Sequence, residues 1–435
     1  MSLRDALDRT LLLMRDDLRE SVRDDELLAA LTETAVTIVA DRENLSSHSA
    51  QSAFITSAIL LARSGHQVFL SAPEIILAGP QPPLAAGELV EQLQITGLDL
   101  LPGINFKRGP PKRPADLTIV FGNTPWKGDP TKTIRLYSTD WFARVTRADI
   151  QEAWPNISWP IGGLAAAALA TPEAFKISMR KLSRWAKTPD FFAEQYAPVS
   201  GVQLNLALSS SAKISDLGPI DFISGGAITN SALYCLLRLP NLTGSSRIIE
   251  DDVIVLSNLN RCTLFLRSRV GKSKAAELAR YSTSNFPIVP IAKRYTSDTA
   301  GKIKPLADGV FVGVDDIPAR WEVQRAWPKW LGIGATGHFS AMASYHTHAT
   351  PCAGCLHPTD EQGVQAIPTV AFVSFWAGLW QATYYLRYLA GDRFLSRDQH
   401  IYFTPHRPEN PWQGAVQRHA NCPVGCGKDI ARHAG

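Results

Sequence analysis

Short apolar runs alternate along the chain with polar, turn-forming stretches and with segments of helical spacing. The pattern is sharpest in the second half. Residues 220–230 read as a strand that runs into Ser224-Gly225-Gly226 and then a helix. A second strand, beginning at Ile248, ends in Glu250-Asp251-Asp252, and seven residues after Glu250 comes Ser257-Asn258-Leu259-Asn260-Arg261. Strand, glycine turn, helix, strand and acidic end in that order make half of a nucleotide-binding doubly wound sheet. Glycines at such a turn let backbone amides approach phosphates, and the helix amino end favours negative charge. An acidic residue ending the second strand can hold ribose hydroxyls.

The first half follows the same plan. Residues 3–31 set Leu and Val among Arg, Asp and Glu at helical spacing, which predicts an amphipathic helical segment with Arg15, Arg19 and Arg23 on a solvated face. Strands follow at 34–40, 67–71 and 115–121, and helices at 47–62, 87–93 and 164–185, with a Pro- and Lys-rich connection at 107–114. Such alternation implies parallel sheets. The stretch from Ala115 to Asn123 also lines up with Ala307 to Asp315, with Asn123 where the second copy has Asp315. Ala40-Asp41-Arg42 stands where the second half has its Gly-Gly turn. The expected organisation is two doubly wound domains, residues 1–195 and 196–435, the first degenerate and the second working.

Composition agrees. A chain of 435 residues is long for one core, and 45% hydrophobic with 19% charged residues fits a soluble globular protein. A net charge of +4 gives nucleic-acid binding no support. The amino end, Met-Ser-Leu-Arg-Asp, has no apolar signal core, and the longest apolar stretch, 366–380, includes Pro368, Thr369 and Ser374. It falls short of the roughly 18 residues of a membrane span and reads as a buried helix, so a cytoplasmic protein is expected. Four of the six cysteines form two tight pairs, Cys352/Cys355 and Cys422/Cys426. Four thiolates around zinc at about 2.3 Å would tie the carboxyl-terminal tail to the domain, leaving His346, His348 and His357 as bystanders. Cys235 reads as core, and Cys262 sits beside the expected phosphate site.

The acidic strand end with S-N-L-N-R resembles the ThiF-type adenylating superfamily, which includes ubiquitin-activating enzymes and sulfur-carrier adenylyltransferases. So do the Val270-Gly271-Lys272-Ser273-Lys274 step, the Asn285-Phe286-Pro287 turn, and the strand ending at Asp315 with Arg320 soon after. A degenerate and a working half in one polypeptide are similar to the compact bacterial ubiquitin-activating enzymes of the Bil and Bub type. Those enzymes act with a ubiquitin-like protein and a conjugating enzyme in antiphage defence. The resemblance implies an α/β architecture of two Rossmann-like, ThiF-type adenylation domains forming an intramolecular pseudo-dimer, monomeric apart from its partners. It also implies ATP and Mg2+ at the second half, and a structural Zn2+ on the two cysteine pairs. Gly225, Gly226, Glu250 and Asp252 would then lie on the nucleotide side, and Asn258, Arg261 and Lys274 would face the phosphates. Asp315 would position magnesium or the adenylate. Carboxylate adenylation joins two anions, so positive groups and a metal held by oxygens suit it. The inactive half is also expected to lend an arginine, with Arg15, Arg19 and Arg23 as candidates.

Several residues depart from the family pattern. Ile223 and Ile228 stand where the G-x-G-G-x-G turn has glycine, and Cys262 replaces the usual Gln. The second cysteine pair is one residue wider than the usual C-x-x-C. The crossover loop, residues 357–368, lacks the cysteine that receives the acyl group in ubiquitin-activating enzymes. The acyl group would then pass directly from the adenylate to a partner, or to a hydroxyl, of which Thr359 is the best placed; a hydroxyl would need a base, and His357 is nearby in sequence. A homodimeric sulfur-carrier adenylyltransferase and a scaffold that binds a ubiquitin-like protein without catalysis are the alternatives. A nicotinamide dehydrogenase would explain the sheet but not S-N-L-N-R, Asp315 or the cysteine pairs.

Overall fold

A computed structural model describes residues 2–207, 212–360, 367–392, 395–409 and 411–426. The first sheet comprises β1 (Ala35–Val39), β2 (Gln67–Ser71), β3 (Phe106–Arg108), β4 (Leu117–Phe121), β5 (Thr133–Ser138), β6 (Phe142–Thr146) and β7 (Gly201–Asn205), in the order 3-2-1-4-5-6-7. The second comprises β8 (Asp216–Ile223), β9 (Thr243–Ile249), β10 (Ile288–Ile291), β11 (Gly309–Val312), β12 (Trp330–Gly337), β13 (Ser340–His346), β14 (His400–Phe403) and β15 (Trp412–Gly414), in the order 10-9-8-11-12-13-14-15. In each sheet the first five strands of the order are parallel and the rest antiparallel.

The two sheets therefore repeat one topology. β4 and β11, which carry the matching Ala-Asp-led stretches, hold the same place in it. Both are buried along their whole length, as continuous apolar runs in a parallel sheet covered on two faces should be. β7 still pairs with β6, so the hand-over between the sheets falls after Asn205, beyond the expected break at residue 195.

Two long helices, Ile161–Lys181 and Ala371–Leu389, are buried over most of their surface and pack against each other between the sheets. Trp376 Nε1 donates to Ala168 O at 3.1 Å across this contact. Phe175 meets Phe339 and Phe372 edge-on, each at 5.8 Å, so one hydrophobic core runs through both halves. The expected helical segment at 3–31 is three helices, Leu3–Ala6, Asp8–Asp16 and Asp24–Thr32. The apolar stretch at 366–380 enters the buried Ala371–Leu389 helix, and among the described residues no helix is long and apolar enough to cross a membrane.

Candidate active site

A cleft of about 630 Å3 opens at the carboxyl ends of β8, β9, β11 and β12. The strand order reverses there, between β8 and β11, where doubly wound sheets bind ligands. The turn from β8 into the Ala227–Leu236 helix forms its floor. Ser224 takes φ +91°, an uncommon conformation for a residue with a side chain. Its hydroxyl accepts from Gly226 N at 3.0 Å and donates to Glu250 Oε2 at 3.3 Å, which holds the turn in place. Gly225 N donates to the same oxygen at 2.8 Å. A Cβ on Gly225 would stand 3.1 Å from Lys274 Cβ and 3.2 Å from Glu250 Cγ, so glycine permits the close stacking of three site segments. Glu250 thus braces the glycine turn as well as lining the cleft, a role its position at a strand end did not announce.

The S-N-L-N-R segment follows in a short 3-10 turn, Leu256–Asn258. Asn258 Oδ1 accepts from Val255 N at 3.0 Å, and Arg261 is held by Ser257 O and by Asn260 Oδ1, the latter at 2.8 Å. Burial pushes the Arg261 guanidinium below its ordinary pKa. Lys274 starts the Lys274–Ala279 helix, and its Nζ lies 3.0 Å from Asp252 Oδ2. The first half supports this segment from behind. Arg63, fully buried on the His48–Arg63 helix, donates to Leu259 O, to Thr263 O at 3.2 Å and to Phe265 O at 2.6 Å. Asn260 Nδ2 donates to Thr10 Oγ1 at 3.0 Å.

Gly226, Glu250, Asp252, Asn258, Arg261, Lys274 and Asp315 all line the cleft, and Gly225 lies directly behind. The arginine that enters from the first half is Arg9, on the Asp8–Asp16 helix. Of the candidates, Arg15 pairs with Asp24 and Arg23 lies beside Glu26, and neither they nor Arg19 line the cleft. Arg9 and Arg15 lie six residues apart, about 240° around a helix, so they face different ways. The sequence marked the helix but not which face meets the second half.

Thr359 is exposed and is not among the lining residues, whereas Thr369 and Ser374 are buried hydroxyls 3.3 Å apart on the cleft wall. Part of the crossover loop, 361–366, lies outside the described residues. His357 accepts from Arg320 Nη1 at 3.0 Å, and burial beside that cation pushes it down to about 3. Arg320 also donates to Val314 O at 3.1 and 2.8 Å, pinning the loop that bears Asp315. Cys262 lines the cleft at 1% exposure, and burial pushes its thiol up; Cys235 is core.

Ile223 and Ile228 do not close the cleft. Ile223 is buried at the end of β8 against Ile249 and Val312. Ile228 occupies space opened by glycine on facing elements, since a Cβ on Gly334 would lie 2.6 Å from Ile228 Cγ2 and one on Gly313 would lie 3.3 Å from Ile228 Cβ. The small residues stand on the facing elements, Gly334 in β12 and Gly313 just after β11.

At the equivalent place in the first half, Asn44 ties the strand ends together. Asn44 Nδ2 donates to Asp41 Oδ1 at 2.9 Å and to Asn123 Oδ1 at 3.0 Å, while its Oδ1 accepts from Trp154 N at 2.8 Å. Trp154 is 3% exposed and stacks on Phe121 at 5.2 Å.

The cysteine pairs meet as the spacing predicts. Cys352 and Cys422 sulfurs lie 3.3 Å apart, as do those of Cys355 and Cys426, and all four fall within 4.8 Å of one another. Tetrahedral zinc with bonds of about 2.3 Å sets its sulfurs about 3.8 Å apart, so the cluster fits zinc despite the wider second pair. His419 N donates to Cys355 Sγ at 3.4 Å, an outer-shell contact of the kind metal thiolates take. His346 and His348 are occupied elsewhere, by Pro351 O at 2.7 Å and Trp327 O at 3.1 Å.

Fold and cleft together define a doubly wound α/β protein built from two repeated halves, with a polar cleft at the switch point of the second sheet. Residues 243–424 match the ThiF family and residues 35–191 match the BilD N-terminal domain. The two matches together fit a protein of the ThiF-type adenylating superfamily, of the Bil type. The uncharacterized protein y4jF of Sinorhizobium fredii is 25% identical over 239 residues, which is 52% of this chain and 44% of that protein, so the match spans under half the relative's length. Among solved structures, E. coli MccB with AMPCPP and selenomethionine MccA is similar at 14% identity and a TM-score of 0.42, over 67% of this chain and 97% of that one. E. coli MccB with succinimide is similar at 18% identity and a TM-score of 0.42, over 48% and 66%.

Proposed function

We propose that the cleft of the second sheet binds ATP with magnesium and adenylates the carboxyl-terminal glycine of a ubiquitin-like protein. The activated carrier then passes to a partner resembling a ubiquitin-conjugating enzyme, in the setting of bacterial antiphage defence that the Bil resemblance implies. The observation that carries the reading is the convergence of Arg9, Arg261 and Lys274, from both halves, on one cleft that also holds Asp252 and Asp315. The substrate carboxylate attacks the α-phosphorus and pyrophosphate leaves. Charge accumulates on the phosphate oxygens, and fixed cations in a partly buried cleft stabilise it. Lys274 exchanges Asp252 for a phosphate oxygen, and Arg9 completes the cationic wall from the first half. Asp315 would supply a hard oxygen donor of the kind magnesium takes, with Asp252 and Asp316 also on the cleft wall, and a bound magnesium would offset phosphate charge. The first half, with Asn44 and Trp154 in its crevice, acts as a non-binding brace.

With no cysteine in residues 357–368, the acyl group goes directly from the adenylate to a thiol of the partner, releasing AMP. Thr359 as an oxyester acceptor is the competing route. The fused halves favour this reading over a homodimeric sulfur-carrier adenylyltransferase, which needs two copies of one chain. The test is ATP–pyrophosphate exchange with the candidate ubiquitin-like protein. Asp315→Ala and Arg9→Ala should each lower exchange by about a hundredfold or more, with zinc content unchanged. Full exchange in Asp315→Ala would sink the assignment.

A further inference from the structure

Resting on that adenylation reading, in which Asp315 acts in the cleft, we propose that His357 is a positioning residue for Asp315. It works through Arg320, and the four-cysteine cluster holds the helix that joins them.

The linkage begins at the cleft. Val314 O accepts from Arg320 Nε at 3.1 Å and from Nη2 at 2.8 Å. That oxygen belongs to the planar peptide that joins Val314 to Asp315, so holding it fixes the direction in which Asp315 leaves the end of β11. The third nitrogen of the guanidinium, Nη1, lies 3.0 Å from His357 Nε2. A guanidinium only donates, so Nε2 accepts and the neutral ring carries its proton on Nδ1. The lone pair is engaged there, and His357 is not free to act as a base for Thr359. Arg320 is 4% exposed, so losing His357 either leaves an N–H unpaired in the interior or turns the guanidinium away from Val314.

The helix that bears Arg320, Ile317–Gln324, begins at the cleft and is tied to the cysteine cluster along its length. Asp316 is its amino-terminal cap, and Asp315 stands just before it; both line the cleft. Residues 320 and 324, like 321 and 325, are one turn apart on one side of the helix. Trp321 Nε1 donates to His357 O at 2.8 Å, Gln324 Oε1 accepts from Ala353 N at 3.0 Å, and Arg325 Nη2 donates to Pro423 O at 3.1 Å. Ala353 follows Cys352 and Pro423 follows Cys422, so both cysteine pairs are fastened to this one helix. Trp321 also packs against Cys352, Cys355 and Cys426. Eight helical residues make a strut of about 12 Å between cluster and cleft. His357 touches it twice, with its carbonyl on Trp321 and its ring on Arg320.

The experiment is a double-mutant cycle in pyrophosphate exchange by the full chain, with His357→Phe and Asp315→Asn made singly and together. His357→Phe should lower kcat on the order of tenfold. His357→Gln, whose side-chain oxygen can accept from Arg320, should recover most of that loss. In the Asp315→Asn background, His357→Phe should cost less than about twofold more, because the carboxylate it positions is already gone. An equal loss in both backgrounds would mean that His357 serves the fold alone, and it overturns the proposal, as does full exchange in His357→Phe. Both results leave adenylation standing, whereas no exchange by the unaltered protein overturns both readings. A second measurement uses no turnover. Coupling between two sites is reciprocal, so saturating ATP with magnesium should raise the zinc affinity of the unaltered protein about fivefold or more, measured by competition with a zinc-selective chelator. His357→Phe should remove that gain. Equal zinc affinity with and without nucleotide in a protein that exchanges pyrophosphate overturns the proposal, whatever the variants do to folding.

Discussion

Ile228 and Gly334 show how far one residue can be understood from its own position. Isoleucine in a nucleotide-binding glycine turn suggests a crowded phosphate site, but Gly334 gives it room. Gly334→Ala should therefore destabilise the protein by about 1–3 kcal/mol through overpacking, and Ile228→Ala should relieve most of that cost in the double variant. Chemical denaturation of the four-member cycle measures the coupling; additive effects would mean that the two side chains do not compete for one space. The same lesson holds for the arginines. That Asn258, Arg261, Lys274 and Asp315 share one cleft was legible because a local chain segment fixes each of them, and spacing along the chain records it. Arg9 was not legible, because its role depends on which face of a helix some 250 residues away in sequence meets Asn260.

At the scale of elements, the fully buried parallel strands were legible, whereas the parallel β3, β5 and β12 and the antiparallel strands were not. β1, β4 and β11 are fully buried apolar runs. β12 and β13 instead mix Gly, Ala, Ser and Thr, and they are strands because the Ala371–Leu389 helix lies across them. That close packing needs small residues, which erases the alternation that would have marked the strands. The cysteine cluster is the opposite case, a local chemical pattern that specifies a long-range contact. It holds the segment carrying Val416 and Val424 against Trp321 and Trp327. We expect one zinc per chain by metal analysis. Cys422→Ser should lose it and make residues 411–426 susceptible to limited proteolysis, because that segment has little other core. Protection equal to the unaltered protein would show that side-chain packing alone holds the tail.

On the scale of the whole molecule, the question is whether two repeated halves behave as one. Arg63 answers it structurally, since a buried guanidinium in one half satisfies three carbonyls of the other half's site segment. Removing it leaves those carbonyls unpaired in the interior, so Arg63→Met should cost about 3 kcal/mol or more and lower pyrophosphate exchange with it. Buried histidines give a test of the coupling itself. His66 in the first half is fully buried and pushed down to about 4, and His406 in the second to about 3, each mainly by burial. In the unfolded chain both titrate near the ordinary 6.5. Below pH 6.5 the unfolded chain takes up protons that the folded protein refuses until about pH 4 or 3. The stability tied to neutral imidazoles is thus complete above pH 6.5 and is lost as pH falls through that window. Each such histidine contributes a slope of about 1.4 kcal/mol per pH unit. Urea denaturation followed by tryptophan fluorescence between pH 7.5 and 5 should show one transition carrying both contributions. His66→Asn should flatten the pH slope of that whole transition by one histidine's share. If the molecule instead melted in two steps, only the first-half step would respond to His66→Asn, and the brace would be a separate domain whose link to the active cleft is contact without cooperativity.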